Sequence, residues 1–346
     1  MSAKVGGGPA ARTRKPSDLA GVLLRRTDFS VLLATLVLFV IFSLGSPSFL
    51  TEYNLFNMGR TAALYVFVAI GQAIVVVIGG MNLSLGAIGG LAVVVAGAGM
   101  QNLGLNPLVA FALALLVGMV AGAFNGLIIV RLHLNSFVAT LATSFIFAGL
   151  VTGVSQGSPY TNIPDVTYIG TGDLFGVPIL FVLMVVLLAI VAYFFRYAVT
   201  GRRILATGGN AEAARLSGIR TDRIVLLANV LSGVFAALAG FLWITRVGSA
   251  QPSTGSDWLI ISFAVAIIGG TSLAGGEISA LGLGAAAVML TLIKNGLVMF
   301  NVNVYFEQTF LGLVILLAVS LESLRAIGRR RRPRRHAREA EGGGPG

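Results

Sequence analysis

The chain reads as an all-α, polytopic membrane protein of about ten transmembrane helices, and three observations carry that reading. Mean hydropathy is +0.91, with 56% hydrophobic and only 11% charged residues, whereas soluble domains carry roughly a quarter charged. The apolar residues gather in runs near the ~20 residues with which a helix crosses the hydrocarbon core. The basic residues gather in the flanks of those runs: six from Lys4 to Arg26, six from Arg196 to Arg223 and eight from Arg325 to Arg338, twenty of the twenty-four. Such clusters mark the cytoplasmic side, so the net charge of +11 reads as topology. Nucleic-acid binding is not expected, because no folded basic domain carries the charge.

Taken in order, residues 1–28 read as a disordered basic cytoplasmic N-terminus. The first apolar run is long and SLGSPSF offers no small-x-small cleavage site, so it is expected to be an uncleaved span. The expected spans are Phe29 to Gly45, Gly59 to Gly80, Leu83 to Met100, Pro107 to Val130, Asn135 to Gly153, Val177 to Phe195, Ile224 to Ile244, Trp258 to Leu273, Ala280 to Phe300 and Val304 to Leu321. They define a transmembrane domain at 29–323, followed by a disordered basic tail at 324–346 that anchors topology and can meet anionic lipid head groups. An even number of spans returns both termini to the cytoplasm and leaves Ser155 to Gly176, with Asp165 and Asp173, outside. The turns after Gly80 and Leu273 are tight, and either helix could be broken there rather than ended. Forty-five glycines permit close helix contact, and the absence of cysteine excludes disulfides and thiolate metal sites.

The polar segment Gly201 to Arg223, GRRILATGGNAEAARLSGIRTDR, interrupts this pattern. It contains a short helix with legible ends: Asn210 caps the first free amides, Glu212 sits in the first turn, Arg215 in the last, and Gly218 stops it. Two turns are marginal in water, so this helix must dock on something.

No GxxxxGK[ST] phosphate loop, HExxH motif or metal-ligand cluster occurs in the sequence. No catalytic residue and no metal ligand is assigned. Ion-coupled carriers keep ionisable groups at depth; the candidates are Glu277, Glu307 with Gln308, and Lys294, each near a span boundary where it can snorkel or be hydrated. His133 and His336 are isolated. A neutral substrate moved by an external motor fits this pattern.

VIGGMNLSLG at 77–86 is echoed by IIGGTSLAGG at 267–276, with five identical positions. Each copy ends an apolar run in a Gly-Gly pair and then offers small polar side chains. Glycine-interrupted segments in corresponding halves point to a translocation path, which makes Gly79, Gly80, Asn82, Ser84, Gly269, Gly270, Thr271 and Ser272 the path candidates. In a chain this rich in glycine, a Gly-Gly pair also recurs by composition alone.

At these residues the chain resembles the permease subunit of ribose-type ATP-binding-cassette sugar importers, from about Phe29 to Glu322. SPSFLTEYNLFN, VVVIGGMNLSLGA, LNSFVATLATSFIFAGL, GGNAEAARLSGI and VGSAQPSTGSDWLIISFAVAIIGGTSLAGG match its motifs in family order. Two departures stand out: Asn82 replaces the usual Asp, and Glu277 follows Gly275–Gly276 where a basic or small residue is more usual. The resemblance implies the importer permease fold, a place in the bacterial plasma (inner) membrane, and translocation of a monosaccharide. It also implies three kinds of partner: a separate ATPase subunit that carries ATP and Mg, an extracellular or periplasmic sugar-binding protein, and a second permease copy in a homo- or heterodimer. The chain itself would hold no cofactor. By the same resemblance Gly208, Gly209, Asn210, Glu212, Ala213, Ala214, Arg215, Leu216 and Gly218 form the element that couples to the ATPase. An ion-coupled secondary carrier or passive channel for a small neutral solute is the alternative from another class.

Overall fold

The computed structural model describes residues 27–300 and isolated positions between Phe306 and Ser320. The tenth expected span, Val304 to Leu321, lies mostly outside the described residues, as do Glu307, His336 and nearly all of both basic tails. The all-α class expected from the sequence holds. The helices are α1 Thr27–Gly45, α2 Glu52–Val77, α3 Leu85–Leu103, α4 Pro107–Leu132, α5 Ser136–Ser155, α6 Thr167–Thr171, α7 Ile179–Tyr197, α8 Val199–Gly209, α9 Ala211–Leu216, α10 Thr221–Val247, α11 Trp258–Ile268 and α12 Ala280–Met299. The only strands among the described residues, β1 Asp173–Leu174 and β2 Val177–Pro178, pair as a hairpin. Its two-residue turn, Phe175 and Gly176, has both φ angles positive, as a tight hairpin requires.

Seven of these helices are long and apolar enough to cross a membrane: α2, α3, α4, α5, α7, α10 and α12. The apolar part of α1, Phe29–Gly45, is somewhat shorter. Local chemistry sets several starts. Asn106 accepts from the Val109 amide with Pro107 at the first helical position, Asn135 from the Phe137 amide, and Ser279 from the Gly282 amide. Ahead of α6, Asp165 Oδ1 accepts from the Thr167 hydroxyl at 2.7 Å and amide at 2.9 Å, and these bonds hold its carboxyl below the ordinary value.

Two elements depart from expectation. Trp258 to Leu273 was expected to span; instead α11 stops at Ile268 after 11 residues, about 16 Å against a core of about 30 Å. The cause is a glycine cap: Gly270 adopts φ +83°, the Gly270 amide donates to Ile267 O and the Thr271 amide to Ala266 O. The second departure is α8, which occupies Val199–Gly209, where only a loop and the following short helix were expected.

α2 stands at the centre. Every residue from Ala62 to Val77 is buried, and the helix packs on α7, α10, α11 and α12, which is why that stretch is apolar all round except at the buried Gln72. The outer helices show the opposite pattern, exposing Leu116 and Val120 on α4, Phe145 and Ile146 on α5, and Val186 and Ile190 on α7. Such surfaces suit lipid. α4 and α10 form the most extensive helix pair, and they do so through Gly118, Gly122 and Gly126. A Cβ on Gly118 would meet Gly233 O, one on Gly122 would meet Asn229 O, and one on Gly126 would lie 2.9 Å from Leu226 Cα. The order of these contacts makes the helices antiparallel, and their backbones touch, as small-residue membrane interfaces allow.

Gly122→Val is therefore expected to destabilise the protein by about 1–3 kcal/mol or more through overpacking, seen as a lower thermal midpoint of the purified protein in detergent. Gly149→Ala on α5, where an added Cβ meets nothing within 4 Å, should leave the midpoint unchanged or slightly raised.

Candidate functional site

The two echoed segments both break a helix in the same way, one residue out of register. After α2 the Gly79 amide donates to Val76 O and the Gly80 amide to Val75 O, with Gly79 at φ +78°. After α11 the residue in that conformation is Gly270, so Gly79 corresponds in structure to Gly270 and not to its aligned partner Gly269. Gly269 has another reason to be glycine, since a Cβ there would lie 2.8 Å from the Leu283 amide nitrogen of α12.

The residues after the first break are held by side chains from three helices. Asn82 Nδ2 donates to Ser232 Oγ on α10 at 2.8 Å, and Asn82 Oδ1 accepts from the Ser84 hydroxyl at 2.8 Å and amide at 3.1 Å. Asn125 Nδ2 on α4 donates to Ser84 Oγ at 2.7 Å, while Ser136 and Thr140 on α5 accept from the amides of Met81 and Leu83. Asn82, Ser84, Asn125 and Ser232 are wholly buried. The amide at position 82 donates and accepts at once, which the carboxylate usual in the resembling family cannot do. Ser232 lies eleven residues along α10 from Thr221, so Asn82 sits about 16 Å along that helix from its start, while Gly79 and Met81 at the break itself are exposed. After the second break Thr271 is buried with no partner for its hydroxyl among the described residues, and Ser272 is half-buried, its hydroxyl accepting from the Ala274 amide at 3.2 Å.

At the end of the bundle that carries α8 and α9, three glycine-bearing stretches meet. The Gly276 amide donates to Val77 O at 2.8 Å. A Cβ on Gly208 would collide with that same carbonyl, and one on Gly275 would collide with Gly208 O. The last carbonyl of α2, the loop after α11 and the end of α8 thus touch by backbone alone. α9 follows at once, with Asn210 Oδ1 accepting from the Ala213 amide at 2.9 Å, Glu212 in its first turn and Arg215 in its last. Gly218 at φ +83° closes it with the same pair of bonds, from its own amide to Arg215 O and from the Ile219 amide to Ala214 O. The buried Ala214 docks this helix on α8 and the start of α10, while Leu216 is 85% exposed.

A feature that sequence reasoning passed over lies on α3. The non-helical residues 250–255 run back into the bundle along that helix: Ala250 lies against Gly97, Thr254 O against Gly90, and Gly255 O against Gly86. From Gly97 to Gly86 this covers about 16 Å of depth. Beside it is a cavity of about 330 Å³ lined by Gly86, Ala87, Gly90, Ser144, Thr152, Thr254, Ser256 and neighbouring apolar residues. None of the path candidates named from the echo lines it. The one available signal was the glycine spacing at 86, 90 and 97 on α3. A larger groove of about 700 Å³ between α4, α6, α7 and α10 is lined almost entirely by apolar side chains such as Phe111 and Leu187.

Near the opposite end lie cations that the sequence reading treated lightly. The Lys294 ammonium is 3.6 Å from the half-exposed Asp257 carboxylate and 5.3 Å from the centre of the Tyr65 ring, with the lysine side chain 16% exposed. Arg60 Nη2 donates to Arg246 O at 3.4 Å, and the Arg246 guanidinium lies over Trp243. Glu277 is exposed. Among the described residues no group of three or more His, Cys, Asp or Glu side chains could hold a metal ion.

A model of the family described as "Branched-chain amino acid transport system / permease component" matches residues 54–319. The ribose import permease protein of Escherichia coli (strain K12) is 35% identical over 297 residues, covering 84% of this chain and 92% of that protein. The ribose import permease protein of Bacillus subtilis (strain 168) is 34% identical, covering 84% of this chain and 91% of that protein. The autoinducer 2 import system permease protein of Yersinia pseudotuberculosis serotype O:3 is 32% identical, covering 83% of this chain and 82% of that protein. No solved structure matches.

Asn82→Leu strips the Ser84 amide and hydroxyl of their acceptor and Ser232 of its donor. Each buried group left unpaired costs about 1–3 kcal/mol, so a clear drop in thermal midpoint is expected, larger than for Ser272→Ala in the half-buried loop.

Proposed function

The chain belongs to the family of branched-chain amino acid transport system permease components, and on that premise we propose that it is the transmembrane subunit of an ATP-binding-cassette importer for a monosaccharide. The substrate is ribose-like or a related carbohydrate, as the names of the ribose import permeases suggest. ATP and Mg act on a separate ATPase subunit, a binding protein delivers substrate from outside, and a second permease copy, identical or not, completes the path. Both termini face the cytoplasm, consistent with the basic clusters.

The observation that carries the reading is the backbone joint of Gly208, Val77 and Gly275–Gly276. It sets the end of α8 on the end of α2 and the loop after α11, and α9, with its exposed Leu216, follows α8 at once and docks on it. A motor that displaces α9 would reach those ends through α8. The family description names amino acids, but the hydroxyl-lined cavity contains no charged side chain, and a zwitterion would enter it with both charges unpaired. A sugar would not.

One observation favours a carrier without a motor: Lys294 and Asp257 form an ionisable pair near one end of the bundle, the lysine 16% and the aspartate 45% exposed, and ionisable residues among spans accompany ion-driven transport. Purified permease in liposomes, tested for D-ribose flux with and without an ion gradient, separates the readings. The importer reading expects no flux until the ATPase, binding protein and ATP are supplied.

For the coupling role, Gly218→Pro and Glu212→Arg are the informative changes. Proline cannot adopt the φ of +83° at position 218, and arginine reverses the charge in the first turn of α9. ATP-driven uptake by the assembled importer is expected to fall to background with the protein still in the membrane; normal uptake by both variants would remove α9 from the mechanism.

A further inference from the structure

We propose that Arg246, with Arg60 beside it, forms a seat for a carboxylate that the substrate-binding protein presents from outside. The inference rests on the importer reading and places one contact of that partner on named side chains. Arg246 is the last residue but one of α10, and Arg60 stands two residues before the wholly buried stretch of α2. From Arg60 to Val77 that helix rises about 26 Å, close to the ~30 Å of a hydrocarbon core. The pair therefore stands at the end of the bundle away from α8 and α9, where the proposed topology puts the outer water.

These two cations ask for an anion. Arg60 makes only long contacts to neutral oxygens: Nη1 lies 3.4 Å from Asn57 Oδ1 and Nη2 lies 3.4 Å from Arg246 O, while Nε is buried without a partner among the described residues. The Arg246 guanidinium lies 5.6 Å from the centre of the Trp243 ring. Among the described residues its nitrogens have no hydrogen-bond partner, yet none of them is sealed from the surface. The two side chains are close enough to repel each other. The nearby carboxylates of the described chain are engaged elsewhere or stand apart. Asp257 pairs with Lys294, Thr167 holds Asp165, the Gly176 amide holds Asp173, and Glu52 lies two turns further out on α2. Among the described residues neither arginine enters an ion pair. A guanidinium offers its donors in a planar fork that matches a carboxylate, and such charge-assisted pairs are the strong ones. A lipid phosphate is the poorer match, because α2 stands at the centre of the bundle and packs on α7, α10, α11 and α12.

The test uses the assembled importer in nanodiscs and a binding protein that supports ATP-driven uptake through it, with docking read by surface plasmon resonance at low and high salt. Arg246→Gln should weaken docking about tenfold, the share of one charge-assisted pair, and should flatten its salt dependence. Arg246→Lys should recover part of that loss, and Arg131→Gln, in the last turn of α4 at the other end, should change neither. Because the repulsion is relieved, the thermal midpoint of Arg246→Gln should not fall. Arg246→Glu should abolish docking, and changing one acidic residue of the binding protein to lysine should restore it. Four results overturn the assignment: unchanged docking by Arg246→Gln, a lowered midpoint, which is the mark of a counter-ion within the chain, a loss confined to nanodiscs containing phosphatidylglycerol, or failure of every acidic-to-lysine change to restore Arg246→Glu. If uptake proceeds while Arg246→Gln docks normally, the seat falls alone; if no binding protein supports uptake through the unaltered complex, the importer reading falls with it.

Discussion

Backbone amides and carbonyls placed deep in a lipid-spanning bundle must find partners within the protein, because hydrocarbon offers none. The architecture turns on how that demand is met at three places where the chain stops being helical. After α2, side chains of α4, α5 and α10 bond to the irregular residues 81–84. After α11, the glycine cap closes the last carbonyls internally. Along α3, the re-entrant residues are pressed against a helix face that presents almost no side chains. The regular helices around them supply depth and apolar cover.

Glycine does different work at each contact. Between α4 and α10 it brings two rods together over a long stretch, which contributes stability. On α3 it makes room for residues 250–255 to descend beside the helix, next to the cavity that both segments line. At Gly79, Gly270 and Gly218 the demand is for a left-handed residue that ends a helix. A count of glycines cannot separate these uses, since each depends on what lies opposite.

That distinction explains what was legible in the sequence. The helix from Asn210 to Gly218 was readable in detail because its caps are local chemistry, a side-chain oxygen three residues before an amide and a glycine after the last turn. Most span boundaries were readable to within three residues for the same reason, together with hydropathy, but α2, expected from Gly59, begins seven residues earlier at Glu52, where the sequence is too polar to read as a span. The length of α11 was not, because an apolar run continues past a glycine cap without any change in composition. The cavity beside α3 was invisible because residues 250–256 acquire their position from glycines more than 150 positions earlier in the chain. The partners of Lys294 were not legible for a related reason: Asp257 and Tyr65 come from other elements, and distance to a span boundary says nothing about them.

The joint of Val77, Gly208 and Gly275–Gly276 also bears on how such a chain can drift over generations. Where two side chains touch, an enlargement of one can be answered by a reduction of the other. Here the atoms in contact are carbonyl oxygens and amide nitrogens, which every amino acid has in common, so no replacement at a neighbouring position can make room. A chain that loses the glycine at 208 has no second-site repair within the joint, and its way back is the reversal of that same change.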